Sequence, residues 1–296
     1  MTVLLPEPPK TTASSPPSSC NTTSKPKGKN QFADITVDYK KSKQLPYRVL
    51  SEAPTFMNLL GNNLGSQNVM DLACGEGHYT RMIRKITKGN VTGVDISPEQ
   101  IDFARRQELS GGQEDTATTA TATTTTTTIE NHNHIDYVVQ DCCHKDFMAQ
   151  FDSEFDVVTA TYLLNYATEE TMIEAFVESA FALLKPGGRF VGINTSPFVR
   201  TQGDFSKTHK YHVVYNTERE ECQNGDPLLI QVEGKDFKAS FYNYFWTTEV
   251  YEKAFAKAGF TQFRWVPLEV MAEDESEWAD WKEFCPIICF EAIKPV

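Results

Sequence analysis

The sequence lacks the features that mark membrane, secreted or nucleic-acid-binding proteins. It has no run of about 18 apolar residues, the length that a membrane-spanning helix needs, and its N-terminal stretch has no apolar core of the signal-peptide type. It also has no basic excess: the formal net charge is −12, whereas nucleic-acid-binding surfaces are normally basic. We therefore expect a cytoplasmic protein without a membrane or nucleic-acid partner.

A metal-binding or disulfide framework is also missing from the sequence. The seven cysteines are odd in number and stand at none of the spacings typical of zinc sites, which favours reduced thiols inside a cell. Two groups could suggest a metal, His132 with His134 and the run Cys142-Cys143-His144. The first has no cysteine or carboxylate at ligand spacing, and adjacent side chains diverge in the second. We predict no metal site.

Two segments contain too few large apolar residues to offset the entropy cost of folding. Residues 1–30 are rich in Pro, Ser, Thr and Lys, and residues 110–134 contain a threonine-alanine run. We predict a disordered tail, a disordered threonine-rich insertion and one folded domain over residues 31–296. Near the start of that domain two helices are expected, in which Tyr39 and Arg48 either cover a ligand as a lid or lie on a surface helix.

The sequence does contain a glycine-rich turn between a short apolar strand and a helix, in the segment 69–81 (VMDLACGEGHYTR). Gly75 and Gly77 permit a sharp turn and a close approach of a ligand to the backbone, and the following helix directs free N–H groups at that ligand. A dinucleotide-binding turn would have a third glycine where this chain has Thr80. The alternative is the first motif of S-adenosylmethionine (SAM) methyltransferases, in which an acidic residue, here Asp71, precedes the G-x-G.

Two further acidic residues follow predicted strands. Asp95 ends the strand 90–96 (NVTGVDI), and Asp141 follows the strand 135–140 (IDYVVQ). Because the carboxyl ends of parallel strands meet at one sheet edge, where doubly wound folds bind ligands, we expect these acids close to the glycine turn. Asp95 suits ribose hydroxyls, and Ile96 beside it can pack on an adenine face.

The candidate acceptor side comes later in the chain. The fourth predicted strand, 155–160, runs into a polar and aromatic stretch that contains Tyr162 and Asn165. After the fifth strand, an insertion with His209 and predicted strands at 229–232 and 239–246 would roof a pocket. Its aromatic residues either hold a flat substrate or belong to the core. Tyr162, Asn165 and His209 are our candidates for positioning an acceptor or removing its proton.

The segments VMDLACGEG, GVDIS, VVQDC, FDVVTATYLLNYA and LKPGGRF resemble, in order and spacing, the class I SAM-dependent methyltransferases. The wording resembles most the small-molecule methyltransferases similar to toxoflavin synthase, over roughly residues 35–296 apart from the insertion. The resemblance implies an α/β fold: a doubly wound, mostly parallel seven-stranded Rossmann-like sheet with an antiparallel last strand, an N-terminal helical lid and a β insertion after strand 5. It also implies SAM as cofactor, bound by Tyr39, Arg48, Asp71, Ala73, Gly75, Gly77, Tyr79, Thr80, Asp95, Ile96, Asp141, Cys142 and Thr161.

The function expected from this resemblance is methyl transfer by in-line displacement to a nitrogen of a small heteroaromatic or amide-containing metabolite. S-Adenosylhomocysteine (SAH) would be the second product, and no metal is required. O- or S-methylation of a small metabolite is the nearest alternative. A protein or RNA methyltransferase, a non-catalytic SAM-binding partner protein and an NAD-dependent dehydrogenase are more distant ones.

Overall fold

The computed structural model describes residues 36–110, 134–143, 149–151 and 153–296. The predicted tail, and the predicted insertion apart from its end residues 110 and 134, lie outside these ranges. The α-helices are α1 (Thr36–Lys41), α2 (Ala53–Leu60), α3 (His78–Arg84), α4 (Pro98–Leu109), α5 (Glu170–Leu183), α6 (Gln202–Ser206), α7 (Thr248–Ala258) and α8 (Ala279–Phe284). The strands are β1 (Val69–Leu72), β2 (Val91–Asp95), β3 (Ile135–Val139), β4 (Phe155–Thr161), β5 (Leu184–Thr195), β6 (Val213–Thr217), β7 (Pro227–Gly234), β8 (Phe237–Tyr244), β9 (Arg264–Pro267) and β10 (Ile287–Ile293).

Seven strands form the central sheet in the order β3-β2-β1-β4-β5-β10-β9. The first five are parallel, and β10 runs antiparallel to both of its neighbours. The predicted doubly wound, mostly parallel sheet with an antiparallel last strand is therefore confirmed. Strand β1 is buried along its whole length, whereas the edge strand β3 alternates between buried and exposed residues. This is the pattern that central and edge strands of a covered parallel sheet require.

Two apolar layers cover the sheet. One face packs against α5 and α7, with Phe176 and Phe255 in the core. The other packs against the N-terminal segment, α3 and a second, three-stranded antiparallel sheet of order β6-β7-β8. No helix among the described residues is long and apolar enough to cross a membrane.

The insertion after β5 contains more strand than the sequence analysis predicted. The two predicted strands correspond to β7 and β8, and β6 adds a third in the polar stretch before them, where no strand was predicted. Its sequence, VVYNT, is too short for its alternation to be recognised without the partner strand. Strand β5 begins at Leu184, before the segment 185–188, because its pairing with β4 continues across a bulge.

The N-terminal segment contacts both sheets. After α1, a 3₁₀ turn (Ser42–Gln44) and a π-helical turn (Arg48–Glu52) lead directly into α2. The ring of Tyr39 in α1 packs edge-on against Phe241 of β8, with centroids 5.4 Å apart. At the end of α2, the carbonyl oxygens of Leu59 and Leu60 accept hydrogen bonds from the Arg189 guanidinium of β5. Single π-helical turns are frequent at functional sites.

Candidate active site

A cavity of about 420 Å³ opens at the carboxyl ends of β1 to β4, within the range typical of ligand sites. Two of its sides recur below. The glycine-turn wall consists of residues 73–76, Asp95, Ile96 and Asp141. The tyrosine wall consists of Tyr39, Tyr162, Tyr166, Tyr242 and Tyr244.

The glycine turn places its backbone against the open space. Gly75 has φ +56°, and a Cβ built there would have only Gln100 Oε1, at 3.9 Å, within 4 Å. Gly77, with φ +78°, faces inward instead, where a Cβ would lie 2.3 Å from the Tyr137 hydroxyl. The two glycines therefore serve different needs. Gly75 leaves room for a ligand, and Gly77 leaves room for β3.

Asp71 and Thr80 lie beneath the turn and do not line the cavity. The fully buried Asp71 carboxylate accepts hydrogen bonds from Thr80 Oγ1 at 2.6 Å and from Thr159 Oγ1 at 2.8 Å. Burial raises the pKa of Asp71 to about 6. These two residues, which were predicted to bind the cofactor, therefore support the turn. A ligand in the cavity would not contact them.

The acid at the end of β2 is joined to the glycine turn. Asp95 accepts hydrogen bonds from the Gly75 N–H at 2.8 Å and from the Ser97 N–H at 2.9 Å, one on each carboxylate oxygen. Burial raises its pKa. A carboxylate has about four lone-pair sites, so Asp95 can still accept a hydrogen bond from a ligand in the cavity.

The ends of β3 and β4 complete this part of the cavity. Asp141, Cys142 and Thr161 line it, as do Ile96 and Ala73. Asp141, Cys142 and Cys143 are also the described group whose potential metal-ligand atoms lie within 4.8 Å of one another. The hydrogen bond between the two thiols, together with burial, raises the pKa of Cys142 well above its ordinary value, and the same hydrogen bond lowers the pKa of Cys143.

Behind the tyrosine wall lies a buried ion pair. Arg48 donates to Glu52 at 2.6 Å, and the hydroxyls of Tyr79 and Tyr162 donate to the same carboxylate. Burial alone would raise the pKa of Glu52, but the charges of Arg48 and Lys43 hold it below its ordinary value. Arg48 does not line the large cavity. Its position therefore gives no support to the predicted role as a ligand-covering residue, because its charge is paired with a carboxylate four residues along the same helical turn.

Of the other residues predicted for the site, some line the cavity and some do not. Tyr39, Tyr79 and Tyr162 line the cavity, and Tyr162 has the strained φ of +67° at the end of β4. Asn165 is fully buried and does not line the cavity. His209 is exposed on a 3₁₀ turn (His209–Tyr211) outside the cavity, so its position gives no support to a role in removing a proton. The polar stretch around it has no period that could have indicated where it points.

Lys43, for which the sequence analysis predicted no role, also belongs to this site, together with His78 and two aromatic residues of the insertion. Lys43 and His78 line the cavity, and so do Tyr242 and Tyr244 of β8. Burial, together with the nearby cations Lys43 and Arg81, lowers the pKa of His78 to about 3, so its imidazole is neutral. One sequence signal could have indicated that Lys43 lies next to Tyr39 and that Glu52 lies next to Arg48. Each pair is four residues apart, and such residues share one helix face.

Comparison with known proteins supports a common fold. A family model described as a methyltransferase domain matches residues 70–190. The ubiquinone biosynthesis O-methyltransferase of Xanthomonas euvesicatoria pv. vesicatoria is 27% identical over 126 residues, 43% of this chain and 42% of that protein. The mRNA cap guanine-N(7) methyltransferase of Caenorhabditis elegans is 24% identical over 136 residues, 44% of this chain and 32% of that protein. The matches thus span less than half of these curated relatives.

Among solved structures, a SAM-dependent methyltransferase from Clostridium acetobutylicum is similar over 90% of this chain and 99% of its own, with a TM-score of 0.54 and 17% identity. At this identity the similarity concerns the fold. The chain therefore has the Rossmann-like fold of the SAM-dependent methyltransferases, and residues 70–190 carry the matching domain.

Proposed function

We propose that this chain, built on the Rossmann-like methyltransferase fold, is a SAM-dependent methyltransferase that acts on a small molecule through the single domain 31–296. The observation that carries the proposal is the cavity itself. It brings the open backbone of Gly75, the Asp95 carboxylate and the Asp141 carboxylate to one side, and faces them with tyrosines. Parallel sheets of this kind bind nucleotides at this edge.

The residues present fit the adenosine part of SAM. The open space in front of Gly75 is a cradle that a side chain at this position would fill. The free lone pairs of Asp95 suit ribose hydroxyls, and the apolar Ile96, 38% exposed, suits an adenine face. Asp141, on the next strand end, would lie at the adenine edge.

When bound, SAM supplies a methyl group on a sulfonium sulfur: the acceptor forms a bond to that carbon, the carbon–sulfur bond breaks and SAH leaves. The protein's own contribution is to align the two reactants inside the cavity, which can supply about 7–11 kcal/mol. Burial raises the pKa of Tyr162 well above its ordinary value, and its hydroxyl donates to Glu52. Tyr162 therefore positions the acceptor and does not remove its proton.

The acceptor is a small flat metabolite, and the methylated atom is a nitrogen of a heteroaromatic ring or amide, as in the toxoflavin synthase-like branch. The aromatic side chains of the tyrosine wall and the roof formed by β8 support a flat acceptor. The second candidate is O-methylation, which the similarity to ubiquinone biosynthesis O-methyltransferases favours. The net charge of −12 opposes an RNA acceptor.

The test uses SAM with a labelled methyl group. Purified protein is incubated with fractionated extract of the source organism, and we expect label in the small-molecule fraction, where mass spectrometry identifies the methylated atom. Label in protein or RNA would overturn the acceptor class. Absence of label together with undiminished SAM binding would favour a non-catalytic SAM-binding protein. Asp95→Ala is the variant with weakened SAM binding, and Asp102→Ala, at a side chain that is 64% exposed on α4, is its matched control.

A further inference from the structure

Cys142 and Cys143 form a pair of thiols beyond the end of β3. Adjacent side chains point to opposite faces of a strand, but these two residues lie in the turn that follows β3, and their thiols are hydrogen-bonded to each other. The two sulfur atoms and a carboxylate oxygen of Asp141 lie within 4.8 Å of one another. We set this run aside as a metal site because adjacent side chains diverge, and the turn removes that objection.

Hydrogen bonds hold this group of three side chains in place. The Cys143 N–H donates to Asp141 Oδ1 at 3.0 Å, which keeps the carboxylate beside the thiols. The hydroxyl of Ser179 in α5 donates to the Cys143 sulfur. Cys142 and Asp141 line the large cavity, whereas Cys143 is half-buried and does not line it. The group is thus assembled by the fold itself, and a small ion can reach it from the cavity.

The geometry suits a soft metal ion with tetrahedral coordination. Zinc binds sulfur at about 2.3 Å, so two sulfur ligands of one tetrahedral ion lie roughly 3.8 Å apart. Ligand atoms that already lie within 4.8 Å of one another reach such positions by a shift of about 1 Å. Thiolate ligands select zinc-like ions over magnesium-like ones, and three protein ligands leave the fourth position to water.

We propose that Asp141, Cys142 and Cys143 form a site for a thiophilic divalent cation of the zinc and cadmium class, and that the occupied site excludes the cofactor. Binding forms two metal–sulfur bonds and one metal–oxygen bond, and it releases the two thiol protons to solvent. The exclusion of the cofactor rests on the proposed function, in which Asp141 lies at the adenine edge. A carboxylate that ligates the ion is not available to the adenine. The ion therefore competes with SAM and takes no part in methyl transfer.

The first measurement is a titration of Cd²⁺ into the full chain, kept reduced by a phosphine and followed by the thiolate-to-cadmium charge-transfer absorption. Asp141→Asn, Cys142→Ser and Cys143→Ser are compared with Cys74→Ser, the matched control. Cys74 is another buried thiol that lines the cavity, but it belongs to the glycine turn and not to this group. We expect both serine variants of the pair to weaken Cd²⁺ binding at least about tenfold, Asp141→Asn to weaken it less, and Cys74→Ser to leave it unchanged. Circular dichroism checks that each variant is folded.

The second measurement is a calorimetric titration of SAH with and without Zn²⁺. At a Zn²⁺ concentration about ten times its own Kd, competition lowers the apparent SAH affinity about tenfold. Cys143→Ser should bind SAH as the unsubstituted chain does, because Cys143 does not line the cavity. In this variant the same Zn²⁺ concentration should change SAH affinity by no more than about twofold. The variant also measures any loss of free SAH through chelation of zinc by SAH itself.

The proposal is overturned if the two serine variants of the pair bind Cd²⁺ as tightly as the unsubstituted chain, since the ion would then lie elsewhere. It is also overturned if Zn²⁺ binds through Cys143 but leaves SAH affinity unchanged, since the ion and the cofactor would then not share a site. Failure of the proposed function has a different signature, because the metal-free unsubstituted chain would then bind no SAH while the Cd²⁺ titration would be unaffected.

Discussion

The glycine-turn wall and the tyrosine wall of the cavity are built in different ways. The first is made of backbone and short side chains at consecutive strand ends, with hydrogen bonds such as that from Gly75 N–H to Asp95. The second collects side chains from α1, the end of β4 and β8, which are far apart in the sequence. The turn wall is thus encoded locally, whereas the tyrosine wall exists only when several elements pack together. The two walls should therefore respond differently to substitution.

The largest expected effect is on the glycine-turn wall. A valine at Gly75 would project into the cavity and would have to adopt a left-handed φ of +56°, which β-branched residues disfavour. We expect Gly75→Val to abolish detectable SAH binding in a calorimetric titration while circular dichroism still shows a folded protein.

Gly65 offers a matched control for this variant. It has φ +58° and, like Gly75, open space at its Cβ position, but it does not line the cavity. Gly65→Val should therefore have a similar strain and keep its SAH affinity. Equal loss of binding in both variants would mean that backbone strain, and not the occupied space, removes the ligand.

The next largest effect concerns the support of the tyrosine wall. Glu52→Gln leaves Arg48 as an uncompensated buried charge and weakens the bonds of two tyrosine hydroxyls, so we expect a loss of about 3–5 kcal/mol in the free energy of unfolding. Urea denaturation measures it. As a control, Glu233→Gln removes an exposed pair with Lys238 and should change that free energy by less than about 1 kcal/mol. A loss for Glu52→Gln as small as the control's would contradict a supporting role.

The same contrast explains how far the sequence could be interpreted. A turn with two glycines and acids at strand ends are local signals, and they predicted that Gly75, Asp95 and Asp141 meet at one sheet edge. The seven-stranded sheet with its antiparallel last strand was implied by the resemblance to class I methyltransferases. The surroundings of Arg48, the place of Lys43 in the cavity and the position of His209 outside the cavity depend on tertiary packing. Strand β6 is a similar case, since its five residues acquire meaning only when paired with β7.

A smaller effect is expected at Asp95, whose carboxylate would bind the ribose. Asp95→Ala removes those hydrogen bonds and one that orders the glycine turn, so SAM binding should weaken by about 1–3 kcal/mol. Isothermal titration measures this change, with Asp102→Ala as the surface control. Unchanged affinity in Asp95→Ala would refute the assignment of the ribose-binding acid and leave the turn as the only determinant of that wall.

The smallest effect on the donor should come from the tyrosine wall itself. Tyr242 is half-buried on β8 and lines the cavity as part of the tyrosine wall, and we expect Tyr242→Leu to leave SAH affinity within about twofold. Loss of an aromatic contact worth about 0.5–1.5 kcal/mol should instead raise KM for the acceptor found in the labelling experiment. Ser240→Ala, an exposed change on the same strand, should alter neither value. If SAH affinity fell as much as acceptor KM rose, the two walls would form one binding site. A substitution in the tyrosine wall could then not alter acceptor binding without also altering donor binding.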